Sequence, residues 1–253
     1  MGLRDLAYTL YERRLLASLD PEQAPHHVGV ILDGNRRWAK AAGSSANIGH
    51  RAGADKISRL LEWCDEAGVE LVTLWLLSTD NLARPEPELA PLLAIIETVV
   101  GELSADGRWR IHPVGALDLL PQHTAEVLKS AATQTSEVDG LMVNVAVGYG
   151  GRQEIADAVR SLLSEHAESG TPMADLARGL SADHISEHLY TKGQPDPDLV
   201  IRTSGEQRLS GFMLWQSAHS EYYFCEAYWP DFRRVDFLRA LRSYEQRHRR
   251  YGN

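Results

Sequence analysis

Long apolar runs are missing from this chain. Although 43% of its 253 residues are hydrophobic, no stretch approaches the roughly 20 consecutive apolar residues that span a bilayer. The opening MGLRDLAYTLYERRL alternates charge with apolar residues and so has no secretory core, and its Met-Gly start lacks the rest of a myristoylation signal. Cysteine is scarce. Cys64 and Cys225 are too few for a disulfide framework and lack metal-site spacing, so both read as small buried hydrophobes. Together these absences lead us to expect a cytoplasmic protein. Positive charge is in deficit: 26 Lys and Arg against 35 Asp and Glu leave a net charge of −9, which argues against a nucleic-acid partner. Neither a G-x-x-x-x-G-K-[ST] phosphate loop nor a G-x-S-x-G nucleophile elbow is found. The glycine run VGYGGRQEI does not fit G-x-G-x-x-G, and no acidic ribose ligand follows it at the expected distance, so a nicotinamide cofactor has little to rest on.

What is present is a regular alternation. HVGVILD, ELVTLWLLS, RIHPVG, GLMVNVAVGYG and DLVIRTS are short Val-, Ile- and Leu-rich runs that predict buried strands, and the aromatic FMLWQSAHSEYYF is a further strand candidate. Between them RAGADKISRLLEWCDEAG, PELAPLLAIIETVVGEL, HTAEVLKSAATQT and RQEIADAVRSLLSEHAES have helical spacing with polar faces. An N-terminal helix is expected over 4–19 and a C-terminal helix with its tail over 231–253. The order predicts an α/β fold, one domain over residues 1–253, with a mostly parallel central sheet flanked by helices.

Ligands of such sheets sit beyond the carboxyl ends of the strands. Here those ends read Asp33-Gly34-Asn35-Arg36-Arg37, Ser78-Thr79-Asp80-Asn81, Gly148-Tyr149-Gly150-Gly151-Arg152 and Arg202-Thr203-Ser204-Gly205-Glu206. The first joins a strand to a helix through Gly34-Asn35, where free backbone N–H groups and the Arg37 fork suit a phosphate. Asp33 would repel that phosphate unless a divalent cation lay between them; read otherwise, it is a helix cap and the arginines are solvated surface. In IGHRAGADK, Gly49 and Gly53 bracket His50, which reads either as a ligand contact or as a structural histidine. STDNLARP is either a site loop or a cap-and-turn segment. Arg202, Arg208 and Ser210 form a second anion cluster, and Glu221 is an acid in an apolar aromatic run, costly there unless paired or bound to metal. Two arginine clusters and two carboxylates suggest two diphosphates and one Mg²⁺.

At this point the chain resembles the cis-prenyltransferases, whose best-known members make undecaprenyl diphosphate. HVGVILDGNRRWAK and DLVIRTSGEQRLSGFMLWQSAHSEYYF carry the resemblance, which extends from residue 27 to residue 229. It implies a Mg²⁺-dependent enzyme, built as a homodimer, that joins isopentenyl diphosphate to an allylic diphosphate. It further implies Asp33 and Glu221 as Mg²⁺ ligands, and Gly34, Asn35, Arg36, Arg37, Trp38, His50 and Arg84 around the allylic diphosphate. Arg202, Arg208, Leu209 and Ser210 would surround isopentenyl diphosphate. Ser78, Thr79, Asp80 and Leu82 would line the substrate site, with Asn81 at a position linked to proton removal. The tail residues Arg250 and Gly252 resemble an Arg-x-Gly motif that reaches the partner subunit's site. The chain departs from the common pattern at Arg36, where many members have glycine, at Ala46, where many long-chain members have arginine, and at Leu82, where most have an aromatic. Leu76, Leu82 and Leu141 would narrow or shorten a product tunnel. These departures resemble short-chain actinobacterial enzymes making Z,E-farnesyl diphosphate from geranyl diphosphate. A long-chain synthase, weakly membrane-associated if its product is long, is the main alternative; a non-catalytic accessory subunit is the other, disfavoured by retention of Asp33, Asn35 and Arg37.

Overall fold

Strands buried on both faces need apolar side chains in both directions, and every residue of His27–Ile31 and Leu199–Arg202 is buried. The computed structural model of the chain describes residues 3–251, with side chains described for residue 8 and residues 10–247. In chain order, α1 (Leu3–Ala17) precedes β1 (His27–Ile31), and α2 (Asn35–Ala41), α3 (Ala46–Ala54) and α4 (Ile57–Glu66) lead to β2 (Leu71–Ser78). Then α5 (Glu86–Asp106) leads to β3 (Arg110–Val114), α6 (Gln122–Gln134) to β4 (Met142–Tyr149), and α7 (Gly151–Glu168), α8 (Met173–Gly179) and α9 (Ala182–Ser186) to β5 (Leu199–Arg202). The chain ends with β6 (Glu221–Phe224) and α10 (Arg234–Tyr251).

The six strands form one sheet in the order β3-β4-β2-β1-β5-β6, and every pairing is parallel. The α/β fold with helices flanking a parallel sheet is therefore as expected. Side chains alternate between two cores. Val28, Val30, Leu199, Ile201, Val143 and Val145 join the larger one, with Leu60, Leu61, Val100 and Phe237 from the covering helices. Ile31, Val200, Ala146 and Tyr149 face the smaller one, capped by Phe212 and Met213. Gly29 lets Phe212 lie against β1, because a Cβ there would come within 2.9 Å of its ring.

Three expected elements differ. Of FMLWQSAHSEYYF only Glu221–Phe224 is strand; Phe212 and Met213 enter the small core from a loop, and Gln216–His219 is a single 3₁₀ turn. Left-handed Gly211 (φ 92°) and Met213 (φ 44°) turn that segment away from the extended path. RAGADKISRLLEWCDEAG contains α3 and α4, broken after Ala54, since Gly49 and Gly53 press α3 onto Asn35 while Leu60, Leu61 and Cys64 carry α4 into the core. The C-terminal helix begins at Arg234, after a 3₁₀ turn at Trp229–Asp231.

Adjacent β1, β2 and β5 run to the same edge, with β1 between the other two. The path goes one way from β1 to β2 and later returns to the other side at β5, which makes the carboxyl end of β1 the crevice of this sheet.

Candidate active site

Asp33 leaves β1 at that crevice. Thr203, fully buried, fixes it: the Asp33 N–H donates to Thr203 Oγ1 (2.9 Å), and the Thr203 hydroxyl donates to the Asp33 carbonyl (2.7 Å). The chain turns at Gly34 with φ 107°, where a Cβ would meet Tyr228 Cδ1 at 2.8 Å and Ser204 Cβ at 3.1 Å. Both conformation and crowding demand glycine there. The helix that follows, α2, has seven residues and, among the described residues, no side chain capping its start.

The Asp33 carboxylate receives Arg202 Nη2 at 2.8 Å and faces Arg37 Nη2 at 3.3 Å. Burial alone would raise its pKa, but the Arg202 hydrogen bond and the charges of Arg202 and Arg37 outweigh it, holding the carboxyl below its ordinary range. Arg202 is 4% exposed. Its Nη1 donates to Ser210 Oγ (2.8 Å) and to the Arg208 carbonyl, and its buried Nε has no partner among the described residues. The loop that carries Arg208 is bent at Ser204 (φ 80°) and Ser210 (φ 52°), non-glycine residues in the left-handed region. Strain of this kind gathers at functional sites.

On the opposite wall, Glu88 at the start of α5 bridges Arg36 (3.1 Å) and Arg84 (3.2 Å). Arg84 Nη2 donates to Asn81 Oδ1 at 2.8 Å, and Ser78 Oγ accepts from the Asn81 N–H at 3.2 Å. His50 is buried beside them, its Nδ1 without a partner among the described residues, and its pKa is lowered by burial, then by the charges of Arg84 and Arg36. Gly49 and Gly53, which bracket His50, let α3 approach Asn35: Cβ atoms there would lie 2.2 Å from its carbonyl oxygen and 2.3 Å from its Oδ1.

These groups ring the mouth of one cavity of about 750 Å³. Asp33, Gly34, Asn35, Arg36, Arg37, His50, Ser78, Asp80, Asn81, Arg84, Arg202, Arg208 and Ser210 all line it. Trp38, Thr79, Leu82 and Leu209 lie outside its lining; Thr79 instead donates its N–H to the Tyr149 carbonyl, and Leu82 packs on the large core. The interior is apolar, walled by Leu76 from β2, Ala54 and Ile57, and by Leu92, Ile96 and Val99 of α5. Leu76 therefore sits where a tunnel reading needs it, whereas Leu141, buried just before β4, lines no part of the cavity. The α5 wall and Glu88 escaped the sequence reading, and Glu206 entered it only as the last residue of a strand end, without a role. The apolar-rich run LLAIIETVV, broken only by Glu97 and Thr98, was the available signal for the first.

A polar, arginine-rich mouth over an apolar chamber suits a molecule with an anionic head and a hydrocarbon tail. The Prenyltransf family, the undecaprenyl diphosphate synthases, matches residues 31–252. The chain belongs to this family. Its members are prenyl transferases, so the chain is an enzyme of that class. A (2Z,6E)-farnesyl diphosphate synthase of Thermobifida fusca is 66% identical over 254 residues, covering 100% of both chains. Isoprenyl transferase 1 of Streptomyces avermitilis is 66% identical over 100% of this chain and 98% of its own. Among solved structures, lavandulyl diphosphate synthase from Lavandula x intermedia, in complex with dimethylallyl diphosphate, superposes with a TM-score of 0.81 at 34% identity, covering 88% of this chain and 96% of that one.

In this family setting one expected pair is not brought together. Glu221 is level with Leu199 and hence with Val28, at the amino edge of the sheet, while Asp33 lies beyond the carboxyl edge. Five residues along a strand separate the two levels by roughly 16 Å. Glu221 pairs there with Arg247 at 2.8 Å. Within one chain the two carboxylates do not share a cation, because a residue opening a parallel strand faces away from the crevice. Arg250 is described only as part of the α10 backbone, and Gly252 lies outside the described residues.

No three metal-binding side chains cluster among the described residues. A cation here would take Asp33 together with phosphate oxygens of a bound diphosphate. That donor set fits Mg²⁺, which keeps few protein ligands and prefers carboxylate and phosphate oxygens.

Proposed function

We propose that this enzyme condenses isopentenyl diphosphate with an allylic diphosphate, geranyl diphosphate being favoured, to give Z,E-farnesyl diphosphate. One observation carries the reading: two arginine clusters meet across the ionised Asp33 at the mouth of a chamber with apolar walls. The names of the 66% identical Thermobifida fusca synthase and of a 55% identical short-chain Z-isoprenyl diphosphate synthase of Mycobacterium bovis support the short product.

Arg36, Arg37 and Arg84 hold the allylic diphosphate with its hydrocarbon pointing past Leu76 toward α5, and Arg202, Arg208 and Ser210 hold isopentenyl diphosphate. As the allylic C1–O bond breaks, negative charge grows on the departing diphosphate, and guanidinium groups already aimed at it stabilise that charge. Bound at Asp33, Mg²⁺ supplies further neutralisation of the same charge. The double bond of isopentenyl diphosphate attacks C1, a proton leaves C2, and the new double bond is set in Z geometry. Asn81 Oδ1 is engaged by Arg84, so Asn81 orients substrate and the proton passes to a phosphate oxygen. His50, kept neutral by burial and two arginines, adds a polar atom without adding charge.

The enzyme works as a homodimer in the cytoplasm, and the tail bearing Arg250 and Gly252 completes the site of the partner subunit. Mass analysis of products from geranyl diphosphate and isopentenyl diphosphate with Mg²⁺ tests the reading. A fifteen-carbon alcohol after dephosphorylation is expected. Products of fifty or more carbons would assign the chain to the long-chain synthases, and no product at all would remove the enzymatic reading.

A further inference from the structure

Glu206 has no task in this mechanism, yet it lines the cavity and stands between the two arginine clusters. It follows Gly205, left-handed at φ 74°, and reaches across the crevice. Its Oε1 accepts from Arg37 Nη1 of α2 at 2.9 Å, and its Oε2 accepts from Arg208 Nη1. Arg37 also donates to Ser204 Oγ (2.6 Å) and faces Asp33, which holds Arg202, whose Nη1 returns to the Arg208 carbonyl. Guanidinium and carboxylate groups thus alternate along a line, Arg208–Glu206–Arg37–Asp33–Arg202, whose ends meet where Arg202 donates to the Arg208 backbone carbonyl. Asp33 has a part in cation binding. Glu206 spends both of its oxygens on arginines assigned to two different diphosphates.

Resting on the two-diphosphate reading, we propose that Glu206 is a positioning residue, an internal anion that aims Arg37 and Arg208 in the free enzyme and couples the two diphosphate subsites. A diphosphate arriving at either side displaces one oxygen of Glu206 and repels the whole carboxylate, which then releases the other arginine. The first ligand bears the cost of breaking the strap and the second meets an arginine already released. The coupling is positive, and linkage requires it to have the same size in either order of binding. Because the Glu206 side chain is 25% exposed, water weakens it, and the coupling falls near the low end of the usual range, about fivefold.

The test is calorimetric titration of the wild-type enzyme and Glu206→Gln with Mg²⁺, using isopentenyl diphosphate and the unreactive geranyl S-thiolodiphosphate, each alone and each with the other saturating. In the wild type each ligand should tighten the other about fivefold. In Glu206→Gln the first ligand should bind more tightly than in the wild type, and the mutual effect should fall below about twofold. A merely structural role would weaken both ligands and leave the ratio alone. An unchanged ratio, or weaker first binding in the variant, overturns the strap while leaving prenyl transfer standing. Failure of the wild-type enzyme to bind both diphosphates overturns the underlying reading instead.

Discussion

Asp33 shows how neighbouring groups decide a role that sequence leaves open. A carboxylate at the end of β1 could cap a helix, but the helix cap is Gly34, and the carboxylate points instead at Arg202 and Arg37. Those cations keep it ionised despite burial. Replacing Asp33 by Asn preserves size and one acceptor but removes the charge, and turnover of isopentenyl diphosphate should fall by about a thousandfold or more, measured by label incorporation with circular dichroism unchanged. Near-normal turnover would take Asp33 out of the chemistry. Most of the mouth was legible in the sequence because arginine, glycine and acid concentrate where strands end. Glu221 was misplaced for a related reason: a motif reveals that a residue is on a strand, but the end of the strand decides which sheet edge it occupies. The roles of Glu88 and Glu206 were not legible because they depend on partners distant in sequence, Arg36 and Arg37 respectively.

Among the elements, the parallel strands were readable from their apolar runs, whereas the tunnel wall was not, since nothing polar separates a helix face that packs on core from one that lines a chamber. Leu92, Ile96 and Val99 of α5, with Leu76 of β2, do the second. If they stop the growing chain, Leu76→Ala combined with Ile96→Ala should shift products from fifteen carbons to twenty and above, read by mass spectrometry, and an unchanged product would move the stop elsewhere. A second element-level consequence concerns β1. His27 is fully buried, with Nδ1 against the Pro195 carbonyl and Nε2 against Thr73 Oγ1, both at 2.8 Å. These partners suit a neutral ring, and burial pushes its pKa down to about 4. The unfolded chain therefore binds a proton near pH 6.5 that the folded chain refuses until about pH 4, so stability is full above pH 6.5 and falls with acidification through that window, by about 3 kcal/mol in all. Denaturant titrations from pH 7 to pH 4.5 should show this loss, and His27→Gln, which can keep both hydrogen bonds without titrating, should flatten it; an equally steep slope in the variant would assign the acid sensitivity to other groups.

At the scale of the whole molecule the question is whether one chain makes a complete site. Arg202, Arg208 and Asp33 come from a single chain, but Glu221 opens β6 on the outer strand of the sheet, with Arg247 of α10 beside it. The homodimer proposal places the Arg250–Gly252 tail in the site of the second copy, which two individually dead variants can test. Asp33→Asn keeps its tail but has no working site; a chain ending at Arg249 keeps Asp33 but has no tail to lend. Each alone should be nearly inactive. In a mixed dimer the truncated chain's site has its own Asp33 and receives the intact tail of its partner, so one site of two recovers. Random assembly from equal co-expression makes about half of the dimers mixed, and total activity should return to about a quarter of wild type. Sedimentation would check that both variants still pair. A tail that serves its own chain predicts no recovery at any ratio, because no chain in the mixture then has both Asp33 and Arg250.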